Sequence, residues 1–194
     1  MLAAEVAAGR RLIERLDPRS TRVGVVTFAG EPAGQGLVIG RASAAAVTEV
    51  PLTADYDEVQ RGLDRILSRG PYGMTHMAAG VDQATIELRG LRGAYSQADA
   101  ESEKVVLFLT DGQPTLPYGI EFAQANTQAV LRAADRARKA GVRVYSFGIG
   151  EEALAGPLAI VRLADITGGP SRRFAIRRTS ARSSPRSTSP TSTE

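Results

Sequence analysis

"VVLFLTDGQPT", residues 105–115, runs five apolar residues straight into Thr110, Asp111 and Gly112. A short, unbroken apolar run is the pattern of a strand covered on both faces, and so of a mostly parallel sheet between helices. Such a strand has no reason of its own to end on a carboxylate. In open α/β sheets, binding sites form outside the carboxyl ends of the strands, and Gly112 lets the chain turn sharply away there. Asp111 is either a turn residue, Asp-Gly being a common turn pair, or one arm of a site.

Working outward, strands alternate with helices. Leu2, Val6, Gly9, Ile13 and Leu16 give an amphipathic helix over 2–16, ended by Asp17-Pro18. "VGVVTF" (23–28) reads as a buried strand, 37–39 as a weak one inside a loop, and "AVTEVPL" (46–52) as a strand that ends at Pro51 or lies at an edge. Asp55 with Glu58 opens a helix whose buried stripe is Val59, Leu63, Ile66 and Leu67. Met77, Val81, Ala84, Leu88 and Leu91 mark the next helix, and residues 92–103 are polar and loop-like. A helix over 126–140 closed by Gly141, a strand at 142–150, a helix at 157–167 and a short strand in "RRFAI" (172–176) complete the pattern. This alternation gives an α/β fold with right-handed βαβ units and helices on both sheet faces.

The 194 residues suit one domain, and the absence of cysteine rules out disulfides and thiolate metal sites. No apolar stretch reaches the roughly 20 residues of a membrane span, and Glu5 interrupts the first apolar run in a way a secretory signal does not. The net charge of +3 belongs to the end of the chain. Six of the 24 basic residues and one of the 21 acidic ones lie from Ser171 onward, so what precedes is close to neutral. That argues against a nucleic-acid footprint on the domain. The Arg/Ser/Thr/Pro composition of 170–194 reads as a tail, disordered over about 178–194.

A second loop bears on Asp111. In "GPYGMTHMAAGVDQA" (70–84), Thr75 sits between a glycine-bearing loop and a helix start, as an N-cap or as an oxygen ligand. A threonine and a strand-end aspartate are the kind of donors a hard cation takes, since Mg²⁺ needs few protein carboxylates and keeps several waters. Three other chemistries compete. "GIGEEA" (148–153) satisfies G-x-G-x-x-A after a strand, a dinucleotide-binding pattern. Ser146 and His76, the one histidine, are the residues a hydrolase would use, but Ser146 lacks the first glycine of a nucleophile elbow. The arginine tail offers phosphate contacts.

"RVGVVTFAGE" (22–31), "PLTADYDEVQRGLDRI" (51–66), "GMTHMAAGVDQA" (73–84), "VVLFLTDGQPT" (105–115) and "VRVYSFGIG" (142–150) resemble, in order and spacing, the von Willebrand factor type A (vWA) domain of bacterial proteins. The likeness covers about residues 1–169, leaving 170–194 as the tail. It implies a Rossmann-like three-layer sandwich with a metal-ion-dependent adhesion site at its carboxyl edge. It also implies that Thr75 and Asp111 contribute to that site, that the cation is Mg²⁺ or Mn²⁺, and that a partner protein's acidic side chain completes the shell. By this resemblance the chain is an interaction module and not an enzyme. The family's DxSxS motif is absent from the sequence, so the expectation is a domain truncated before it, without its first central strand, holding metal weakly.

Overall fold

The computed structural model describes residues 2–30, 45–149 and 158–174. Helix α1 (Leu2–Ile13) leads to strands β1 (Val23–Phe28) and β2 (Ala46–Thr53), then helices α2 (Tyr56–Arg69) and α3 (Met77–Arg89). Strand β3 (Lys104–Thr110), a 3-10 turn at Ile120–Phe122, helix α4 (Ala123–Lys139), strand β4 (Val142–Ile149), helix α5 (Leu158–Thr167) and strand β5 (Ser171–Phe174) follow. The expected elements at 37–39 and the tail from 178 fall outside the described residues. Strand β5 lies inside the segment assigned to the tail and pairs with β4.

The strands form two sheets. β3, β4 and β5 are parallel in that order, while β1 and β2 pair only with each other, antiparallel. The α/β class is as expected, but β1 is not the doubly covered strand that its composition suggested. As half of a two-stranded ribbon it stays partly exposed along most of its length. β2 runs on through Pro51, as an edge strand can. In its ladder Val25 faces Val50 and Val26 faces Thr48, so Glu49 is an extra, bulged residue. The bulge hands successive side chains to different helices. Val50 meets Gly62 of α2, where a Cβ would lie 2.3 Å from Val50 Cγ2, while Thr48 donates to Glu87 of α3 at 2.8 Å.

Two apolar clusters result. Val6, Ile13, Val50, Val59, Leu63 and Ile66 join α1 and α2 to the first sheet. The larger cluster sets Met77 and Val81 of α3, the alanine face of α4 and Leu163 of α5 against Phe108, Val142 and Val144. No ladder connects β1 to β3. The sheets are joined by α3, which packs against β1, β2 and β3, and by the stacked rings of Phe28 and Phe108, 4.9 Å apart. Gly80 lets α3 approach that stack, since a Cβ there would come within 2.7 Å of the Phe28 ring.

Three residues placed on helical stripes, Leu67 among those read as buried, are exposed. Leu16 (37%) lies beyond α1, which unwinds at Ile13, Leu67 (42%) is displaced from the core face by Gly62, and Leu91 (49%) follows the left-handed cap at Gly90. Asp55 caps α2 as expected, accepting from the Asp57 and Glu58 N–H groups. At the other end of the chain, Gly169 allows β5 to dock. A Cβ there would lie 2.1 Å from the Val144 carbonyl oxygen, and the segment is fixed by Ser146 N–H to Pro170 O and Gly169 N–H to Ala164 O. Gly169→Ala is therefore expected to cost about 3 kcal/mol in urea unfolding, the upper range for overpacking. A loss under about 0.5 kcal/mol, the scatter of neutral surface changes, would show that β5 contributes little.

Candidate functional site

Three loops meet at the carboxyl edge. Just past β1, the Gly30 carbonyl accepts from Met74 N–H at 2.7 Å. Gly73, at φ +68, sits so close that a Cβ would be 2.7 Å from the same oxygen. Thr75 is stitched to the segment following Asp111. Its N–H donates to Thr115 Oγ1 at 2.8 Å, and its carbonyl accepts from Thr115 and Leu116 N–H at 3.0 and 3.2 Å. The loops carrying the two residues singled out in the sequence are thus one backbone unit.

Asp111 lies in a bend but does not accept from Gly112 N–H. The neighbouring Gly112 N–H points to Thr110 Oγ1 at 3.4 Å, and among the described residues the Asp111 carboxylate accepts no hydrogen bond. Thr75 is not the cap of α3 either. That position is His76, whose Nδ1 accepts from Ala79 N–H at 3.2 Å. His76 is thus the capping residue, and burial holds its imidazole below the ordinary value. Ser146 is fully buried and donates to Ile160 O at 2.8 Å, a structural hydroxyl with no access to substrate. Gly148 is a β4 residue paired with Thr110 and Arg173; residues 150–153 of the dinucleotide pattern lie outside the described residues.

The sequence reading missed Glu5. It sits in the first turn of α1, half-buried, and its carboxyl is pushed up to about 7, first by burial and second by the negative charge of Asp111. Its signal was there, as the one acid in an otherwise apolar helix start, but its neighbour is set by tertiary packing. The edge therefore carries the Asp111 carboxylate, whose charge is felt at Glu5, and a threonine on the adjoining loop. These are hard oxygen donors with excess negative charge, which fits a divalent cation held largely through water. Among the described residues there is no cluster of three His, Cys, Asp or Glu able to enclose a metal, so a tight, all-protein cage is not what the edge offers.

A strand-helix alternation with a parallel sheet between β3, β4 and β5 defines an α/β domain. The chain belongs to the von Willebrand factor type A domain family, whose profile matches residues 6–187. Solved structures share the fold at low identity. One is the conserved hypothetical protein BatB from Bacteroides thetaiotaomicron (18% identity, 90% of this chain and 80% of that one, TM-score 0.59). Another is an aerotolerance-related membrane protein from Bacteroides fragilis NCTC 9343 (16%, 89% and 80%, TM-score 0.61). A third is the PilB minor pilin from Streptococcus sanguinis (13%, 90% and 50%, TM-score 0.62). Domains of this family are in the main protein-interaction modules. No described helix is long and apolar enough to cross a membrane.

Proposed function

We propose that this chain is a non-catalytic interaction module whose carboxyl edge presents a divalent cation, Mg²⁺ or Mn²⁺, to an acidic side chain of a partner protein. The observation that carries this reading is the Asp111 carboxylate itself. It follows a partly buried strand, accepts no hydrogen bond among the described residues, and its charge adds to burial in raising the affinity of Glu5 for a proton. A bound cation supplies a positive centre on which carboxylate oxygens of two proteins can meet. Asp111 and the Thr75 hydroxyl are the donors this chain would give it, and Glu5 offsets the added charge from the side of α1.

Two oxygens and water make a weak site, because Mg²⁺ gives up its hydration shell reluctantly. Titration with Mn²⁺, followed by electron paramagnetic resonance of the free ion, is expected to give a Kd on the order of millimolar. Asp111→Ala should abolish binding. A titration identical in the wild type and in Asp111→Ala would overturn the reading, and micromolar affinity would mean a fuller ligand set than Thr75, Asp111 and Glu5.

A further inference from the structure

The loop between β3 and α4 holds large apolar side chains out of the core. Ile120 is 71% exposed, and Tyr118 and Phe122 on either side of it are exposed as well. The loop that carries them has a fixed frame. Asn126, fully buried in the first turn of α4, accepts from Tyr118 N–H at 2.9 Å and donates to Gly119 O at 2.7 Å. Gly119 N–H donates to Thr115 O at 3.1 Å, and Phe122 N–H donates to Gly119 O at 3.2 Å. Leu116 is buried and plugs the loop into the protein. A buried amide and a buried leucine thus set the loop's shape, and the fold makes little use of Tyr118, Ile120 or Phe122. Apolar groups held out together mark an interaction surface, and a frame already ordered lowers the cost of binding.

Resting on the cation reading above, we propose that this loop selects the partner protein, receiving aliphatic or aromatic side chains that flank the acidic residue brought to the ion. The loop is continuous with the carboxyl edge. Thr115, which holds the Thr75 loop through its hydroxyl and its N–H, is three residues before Tyr118, a span of at most about 11 Å. Its charge argues for a protein. From Asp111 to Leu131 the sequence has two acids, Asp111 and Glu121, and no lysine or arginine. Nucleic acid and anionic lipid headgroups are drawn to basic residues, and this loop offers them none. A cation held by few protein oxygens is held weakly, so most of the partner's affinity comes from the loop. Ile120, the most exposed of the three, is the central contact.

The probe is a phage-displayed peptide library with a fixed Asp between random flanks, selected on the full chain in Mn²⁺. The expected result is enrichment of aromatic and aliphatic residues beside the Asp. A selected peptide, made synthetically, should bind Ile120→Ser about tenfold more weakly than the wild type. Peptides without apolar flanks, a library that yields no binder, or equal affinity for Ile120→Ser each overturn the proposal. The chain has no cysteine, so Ile120→Cys places a single thiol on the loop. It should react with maleimide as fast as a thiol in an unstructured peptide; protection would mean that the chain itself covers the loop, and the proposal falls. The cation reading fails in a different way. If chelator and Asp111→Ala leave the peptide's affinity unchanged while Ile120→Ser weakens it, the ion has no part in binding and the loop keeps its own.

Discussion

Replacing Glu87 with alanine is expected to lower stability by about 4 kcal/mol, since each buried donor left without an acceptor costs roughly 1–3 kcal/mol. Glu87 is 4% exposed, an unusual burial for a carboxylate, and it is surrounded by donors. Oε1 accepts from Thr48 Oγ1 at 2.8 Å, Tyr95 N–H at 3.2 Å and Gln83 Nε2 at 3.3 Å. Oε2 accepts from Ser96 N–H at 3.0 Å and from the Ser96 hydroxyl, and Ser96 Oγ in turn accepts from Leu52 N–H at 2.9 Å. One side chain thereby ties α3 to β2 and to the loop after α3. Burial pushes its carboxyl up, but the hydrogen bonds from Ser96, Thr48 and the two N–H groups outweigh it and hold the value below that of an ordinary glutamate. The sign follows from a depressed folded value. The contribution is complete above the unfolded glutamate value and is lost as pH falls through the folded one. Urea unfolding of the wild type and of Glu87→Ala near neutral pH and in acid measures both effects. A neutral-pH difference below about 1 kcal/mol would mean that water replaces the carboxylate without loss.

Glu5→Gln should act in the opposite direction and stabilise the protein by up to about 3 kcal/mol at alkaline pH. The folded carboxyl is raised from 4.5 to about 7, so between those values the folded chain holds a proton that the unfolded chain has released. Stability of the wild type therefore falls as pH rises through that window and levels off above it. Glutamine carries no charge to lose, so the two proteins should be equally stable near pH 4 and diverge toward pH 8, the order of stability favouring the variant. The melts belong in chelator, where no cation can relieve the repulsion with Asp111. Parallel pH curves would place Glu5 in solvent, away from Asp111. Adding Mn²⁺ should then narrow the gap, because a cation offsets the charge that glutamine removes.

Much of the fold was legible because periodicity reports which face of an element meets a core. The bounds of β1 and β3, the stripe Met77–Val81 and the cap at Asp55 all follow from local chemistry. Asp111 stood out for a related reason, a charge at the end of an apolar run. What escaped depends on partners far away in the chain. Glu5 looked like an interruption of a helix until the fold buried it within the field of a residue 106 positions on. Glu87 and Ser96 looked like ordinary polar residues of a helix flank and a loop. Leu67 and Leu91 fitted a helical stripe but lost their place to Gly62 and to the end of α3. The division into two sheets was also invisible in composition, since "VGVVTF" reads the same in a central strand as in a ribbon.

Helix α3 begins immediately after the Thr75 loop, capped by His76, and it packs against strands of both sheets. Thirteen residues make a rod about 20 Å long. Tension applied at Thr75 enters this rod at its end and is divided between the ribbon, through Glu87 and Gly80, and the parallel sheet, through Met77 and Val81. The mechanical strength of the domain under a pulling partner should then be set by how firmly α3 is seated, more than by the hydrogen bonds of either sheet.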